Sequence, residues 1–220
     1  MLDAKRDLRI FLQSGIQVLQ LDLSEHQLDQ LLEYQDLIAK WTRVYNLTAV
    51  RKPAEMVTHH LLDSLAAVPA LRDYLVKAGW TQASLLDVGS GAGLPGVVMA
   101  ICCPTLTVTC VDTVAKKAAF IKQAALALTL PNLTGLHGRV EAMAQVFDVI
   151  CSRAFASLAD FTHLSGAALA SKGVWMAMKG KYPSEEVTGL PANINMFHVE
   201  QLTVPGLQAE RCIVWMRPVL

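Results

Sequence analysis

Three glycines at alternate positions, Gly89, Gly91 and Gly93, follow the short apolar run 84–88. With no Cβ in the way, such a stretch lets the backbone turn sharply and approach a bound molecule closely. Gly91-x-Gly93-x-x-Gly96 is a literal match to the dinucleotide fingerprint, although a lone match of that kind is weak. Asp112 follows the next apolar run, 23 residues after Gly89. A carboxylate there can accept hydrogen bonds from both hydroxyls of a ribose. Two cofactors carry such a ribose: a nicotinamide dinucleotide, which moves hydride, and S-adenosylmethionine, which moves methyl. The glycines and Asp112 alone leave both open.

Other residues invite chemistry less strongly. His59-His60 with Asp63 suggests metal ligation, but so few ligands favour a packed histidine. Cysteines 102, 103, 110, 151 and 212 have no C-x-x-C spacing and lie in apolar stretches, where a thiol behaves as a small hydrophobe. They suit a reducing compartment, and no metal site is expected. Tryptophans 41, 80, 175 and 215 are expected to pack within the fold.

These residues need a scaffold. In the first eighty, apolar residues recur at three-and-four spacing: Leu8, Phe11 and Leu12, then Leu28, Leu31, Leu32, Gln35 and Ile38. Ser24 is a natural N-cap, Asn46-Leu47-Thr48 a break, and Pro53 a helix start; another helix is expected over 63–78. From residue 84 the rhythm changes. Strands are expected at 84–88, 106–111, 133–137, 148–151 and 173–178, with helices from Pro95 to about 102, over 115–128 and over 158–170. Runs 196–204 and 211–216, joined by Pro205-Gly206, predict a closing hairpin. This alternation predicts an α/β fold: a seven-stranded, mostly parallel sheet with helices on both faces, preceded by a helical N-terminal extension. We place the extension at 1–80 and the sheet unit at 81–220. The glycine loop then lies at the carboxyl ends of the strands, where ligands bind in such folds.

Composition narrows the function classes. Nineteen basic and nineteen acidic residues cancel, so a chain coated in nucleic acid on all sides is excluded. By region, 1–111 carries a net −2, 112–182 a net +4 and 183–220 a net −2. Lys116, Lys117, Lys122, Arg139, Arg153, Lys179 and Lys181 supply most of the excess, which predicts a local phosphate-facing patch. The start interleaves charges with apolar residues, unlike a signal peptide, and the most apolar stretch, 94–111, is broken by two prolines and three threonines. A cytoplasmic protein with no membrane partner is expected, and at this size a monomer.

The segment Asp87-Val-Gly-Ser-Gly-Ala-Gly-Leu-Pro-Gly96 closely resembles the cofactor loop of the bacterial small-subunit ribosomal RNA methyltransferase G family, also called glucose-inhibited division protein B. The likeness continues, in order, through Trp41-x-x-x-Tyr-Asn-Leu-Thr48, His60-x-x-Asp63-Ser64, Arg139-Val-Glu141, Ser152-Arg-Ala-Phe-Ala-Ser157, Met178-Lys-Gly180 and Glu210-Arg211. The resemblance implies a class I methyltransferase fold of Rossmann-like type. It also implies S-adenosylmethionine as donor, and methylation of a guanine N7 in 16S rRNA, near the decoding site of the small ribosomal subunit. Carried over residue by residue, it implies that Gly89, Leu94, Asp112, Val140 and Glu141 hold the cofactor and that Arg153 faces cofactor or substrate; the glycine spacing adds Gly91 and Gly93 to the cofactor set. We expect Arg153 as the catalytic residue, and Lys116, Lys117, Arg139, Lys179 and Arg211, with Asn46 from the resemblance, as RNA contacts. After Asp112, Ala115, Ala118 and Ala119 stand where the family often has basic residues, leaving Lys116 and Lys117 nearest.

What is missing fits that chemistry. The segment Cys151-Ser-Arg-Ala-Phe155 contains no Pro pair of the kind that orients an exocyclic amine, and Cys103-Pro104 has the wrong order for a covalent attack on a pyrimidine. Guanine N7 carries an in-plane lone pair and no proton, so its methylation needs alignment rather than a base. Alignment alone can contribute about 7–11 kcal/mol. Arg153 stays charged, which suits holding a base or phosphate rather than exchanging protons. The competing readings are a nicotinamide-dependent oxidoreductase, which lacks a visible Tyr-x-x-x-Lys pair, and a non-catalytic RNA-binding module.

Overall fold

The computed structural model describes residues 2–153, 155 and 157–219. Helix α1 (Leu2–Val18) leads to Ser24, which caps α2 (Glu25–Tyr45) through a reciprocal bond pair with Gln27. Asn46 ends α2 in the left-handed conformation, φ 51°, which a short amide side chain tolerates. Pro53 opens α3 (Pro53–Met56), which runs through a π turn (Val57–Leu62) into α4 (Asp63–Leu65). The expected single helix over 63–78 is instead broken at residues 66–67 and restarts as α5 (Val68–Lys77). The cause is Pro69, which has no N–H to continue the ladder and whose ring crowds the carbonyl four residues back.

Strands and helices then alternate: β1 (Ala83–Val88), α6 (Gly96–Cys102), β2 (Leu106–Asp112), α7 (Ala115–Ala127), β3 (Leu133–His137), a 3₁₀ turn (Val140–Ala142), β4 (Phe147–Ser152), α8 (Leu158–Ser165), β5 (Leu169–Lys179), α9 (Ser184–Thr188), β6 (Ile194–Leu202) and β7 (Arg211–Pro218). Pro95 stands at the cap of α6 rather than inside it, and α8 gives way at Gly166 to a 3₁₀ turn, so the helix expected over 158–170 is shorter. The seven strands form one sheet in the order β3-β2-β1-β4-β5-β7-β6. The pairs β3–β2, β2–β1, β1–β4 and β4–β5 are parallel, and β7 enters antiparallel between β5 and β6. The order reverses between β1 and β4, which opens a crevice at their carboxyl ends.

Alternate residues of each strand serve opposite faces. Leu85, Val108, Cys110, Val149 and Trp215 join the side chains of α1, α2, α6 and α7 in the larger core; Leu86, Val111, Ile150 and Trp175 meet Leu158 and Phe161 of α8 in the smaller. Both faces are therefore covered, as the near-continuous apolar strands require. Helix α2 is pinned to the sheet unit by polar side chains at helical spacing. Gln27 donates to the Ile101 carbonyl, Gln30 to that of Leu128, and Tyr34 to that of Ala92. All five cysteines are free and buried, and among the described residues no helix is long and apolar enough to cross a membrane.

Candidate active site

At the end of β1 the chain turns through Gly89 (φ 66°) and crosses the end of β2, where the N–H groups of Gly89 and Ser90 donate to the Val111 carbonyl at 3.0 and 3.2 Å. A Cβ built on Gly89 meets nothing within 4 Å, so glycine is needed there for backbone conformation, and the space in front is open. Gly93 differs: a Cβ there would lie 2.4 Å from Val97 Cγ2, so this glycine lets the loop sit down on α6. Gly96 donates its N–H to Asp87 Oδ2 at 2.8 Å beneath the loop, and Leu94, joined to Pro95 by a cis peptide bond, is buried in the core.

Asp112 ties the loop to the next strand. Its Oδ2 accepts the Gly91 N–H at 2.9 Å, its Oδ1 accepts the Val114 N–H at 2.8 Å, and Lys117 Nζ lies 3.5 Å away. Each oxygen keeps a second acceptor position. Gly89, Asp112, Lys117, Arg139, Val140 and Glu141 share one cavity of about 440 Å³, which Phe155 and Leu164 also line. An open glycine cradle, a carboxylate at the edge and apolar Val140, Phe155 and Leu164 fit a purine nucleoside cofactor. Lys117 and Arg139, expected as RNA contacts, line this cavity.

A second cavity, of about 340 Å³, opens beside it and is lined by His59, His60, Asp63, Arg153, Met178, Lys179, Gly180 and Arg211. Arg153 lies here, not on the first cavity, whereas Phe155, two residues on, lines the first. Buried Asp63 holds two arginines at once. Arg153 Nη1 donates to Oδ2 at 3.0 Å and to the His59 carbonyl at 2.9 Å, while Arg211 Nε donates to Oδ1 at 2.6 Å. Lys179 is pinned by Glu186 at 2.8 Å. Asn46 stays outside both cavities and accepts from Arg51 at 2.7 Å, while Lys116 is exposed on α7.

Two buried groups carry shifted proton affinities. Burial, reinforced by the Arg153 charge, lowers His60 to about 4, so its ring is neutral and its Nε2 meets the Thr48 hydroxyl at 2.9 Å. Burial raises Asp87 to about 7 despite the Gly96 bond, and its Oδ1 has no hydrogen-bond partner among the described residues. No group of three or more metal-ligating side chains occurs among the described residues. Sequence reasoning missed Asp63 as the arginine anchor. Its signal was the spacing of His60 and Asp63 on one helix face, but the partners lie 90 and 148 residues away.

The family model described as rRNA small subunit methyltransferase G matches residues 27–214. The Ribosomal RNA small subunit methyltransferase G of Polaromonas naphthalenivorans (strain CJ2) is 73% identical over 216 residues, covering 98% of each chain. Among solved structures, the ribosomal protein L11 methylase from Lactobacillus delbrueckii subsp. bulgaricus aligns with a TM-score of 0.57 at 12% identity, over 72% of this chain and 79% of that one. Coclaurine N-methyltransferase bound to N-methylheliamine and SAH aligns at 0.52 and 13% identity, over 91% and 73%. These two likenesses speak for the class I methyltransferase fold alone.

Proposed function

The chain belongs to the rRNA small subunit methyltransferase G family, and on that premise we propose that it methylates the N7 of a guanine in 16S rRNA near the decoding site. Bound S-adenosylmethionine supplies a methyl group on a sulfonium, already activated for transfer. Gly89 and Gly91 admit the cofactor without obstruction, Asp112 receives its ribose hydroxyls, and Val140 with Glu141 borders its adenine. The observation that carries the reading is the pairing of this cradle with an adjoining cavity faced by Arg153, Arg211 and Lys179.

The second cavity holds cations and carboxylates already committed to them: both oxygens of Asp63 accept from guanidinium donors. Arg153 and Arg211 are thereby fixed in place, and guanidinium groups fork well onto phosphate or base oxygens. A proton-free nucleophile such as N7 needs that orientation and no base. We read residues 1–80 as an extension packed on a catalytic unit at 81–220, and the protein as a cytoplasmic monomer. The test is transfer of labelled methyl to small-subunit particles and free 16S rRNA from a strain lacking this gene, with the product identified by nuclease digestion and mass spectrometry. Formation of 7-methylguanosine is expected; label in another nucleoside, or none, overturns the assignment.

A further inference from the structure

The end of α2 presents an aromatic and basic surface that neither cavity uses. Tyr45 and Val44 are exposed at 44% and 69%. The Tyr45 ring packs on Trp41 at 5.0 Å between centroids, and Trp41 packs on buried Phe120 of α7 at 5.3 Å. The three rings thus form a column that begins in the core and ends in solvent. Exposed aromatic faces held this way are rigid before any partner arrives.

The register of α2 against α7 identifies the neighbours of Tyr45. Gln30 bonds the Leu128 carbonyl, while Tyr34 and Trp41 both face Phe120, so the helices run antiparallel. Continuing to the end of α2 brings Tyr45 to the first turn of α7, which carries Lys116 and Lys117. No acidic residue occurs between Asp112 and Glu141, the stretch that carries Lys116 and Lys117. Lys116 lies one turn before Phe120 on the same face of α7; it is exposed and makes no ion pair among the described residues. Lys117 touches Asp112, so the surface adjoins the rim of the cofactor cavity.

We propose that the Trp41–Tyr45 column, flanked by Lys116, is a single-stranded RNA platform on which an unpaired base stacks on Tyr45 while Lys116 takes a neighbouring phosphate. This surface lies outside the cavities that hold the cofactor and the reacting base, and the inference rests on the rRNA-methyltransferase reading for its ligand. Base stacking on aromatic rings and positive grooves along the backbone are the general means by which proteins hold single strands.

The test is direct binding of labelled 16S rRNA alongside methyl transfer, for the full chain and for Tyr45→Ala, Tyr45→Phe and Lys116→Gln. Tyr45→Ala is expected to weaken rRNA binding about tenfold or more, while S-adenosylmethionine affinity and the melting temperature stay unchanged. Tyr45→Phe keeps the ring and should bind as the parent does. Lys116→Gln should reduce the slope of log affinity against log salt by about one. Equal rRNA affinity of the parent and Tyr45→Ala overturns the platform, whatever the turnover. Weakened binding to intact subunits with unchanged binding to naked rRNA also overturns it, in favour of a protein contact. A parent that binds rRNA through Tyr45 yet forms no 7-methylguanosine leaves the platform standing and removes the proposed activity.

Discussion

Arg211, at the start of β7, donates its Nε to Asp63 at 2.6 Å across 148 residues of chain. Asp63 also takes Arg153 from the end of β4, so one buried carboxylate of the N-terminal helices sets two cations of the sheet unit. The candidate site is therefore assembled across the boundary expected near residue 80.

Removing the charge of Asp63 should leave both guanidiniums uncompensated. Asp63→Asn is expected to lower stability by about 2–4 kcal/mol, read as a shift of the urea midpoint. Methyl transfer should fall further than the loss of folded protein explains, because Arg153 and Arg211 lose their common anchor. Full activity in the folded variant would show that the arginines need no such fixing.

Tyr34 is fully buried, and its hydroxyl meets the Ala92 carbonyl at 2.5 Å inside the glycine loop. Tyr34→Phe keeps the ring packing but leaves that carbonyl unpaired, at a cost of about 1–2 kcal/mol. Because Ala92 sits between Gly91 and Gly93, the variant should also bind S-adenosylmethionine more weakly. Calorimetric titration of the cofactor checks this, and an unchanged Kd would uncouple α2 from the cradle.

Two glycines of one loop should fail in different ways. Gly93→Ala drives a methyl group into Val97 and should mainly destabilise the fold, since its φ of 84° is unfavourable as well. Gly89→Ala meets open space and has only its φ of 66° to contend with, about 1–2 kcal/mol. Its methyl group, however, projects into the space a cofactor would fill. Thermal melts with and without S-adenosylmethionine should show Gly93→Ala low in both, and Gly89→Ala losing most of the ligand-induced rise.

Stability should depend on pH through two opposed groups. Asp87 binds its proton more tightly when folded, with its value raised from 3.8 to about 7, so its contribution falls as pH rises across that window. His60 is lowered from 6.5 to about 4, so its contribution rises with pH between those values. Asp87→Asn removes the falling contribution and should gain on the parent progressively from about pH 4 to 7, by a few kcal/mol. Urea midpoints at several pH values check the trend. A constant difference between variant and parent would mean that Asp87 does not titrate in that range.

Much of this was legible along the chain. The alternation of strands and helices, Ser24 as an N-cap, the glycine spacing and Asp112 after β2 are local facts. Periodicity and the Cβ-free turn act over a few residues, so they determined the fold class and the cofactor cradle. Hidden were the relationships formed only when distant segments meet. Asp63 read as one more residue beside two histidines until folding placed Arg153 and Arg211 on its oxygens. Lys117 and Arg139 read as phosphate contacts, and only the fold shows that they line one cavity with Asp112. Trp41 gained its contact with Phe120 only when α2 packed against α7. A side chain's type and local spacing determine what it can bind. Its partner is decided by the packing that desolvates both groups together, which no short stretch of sequence contains.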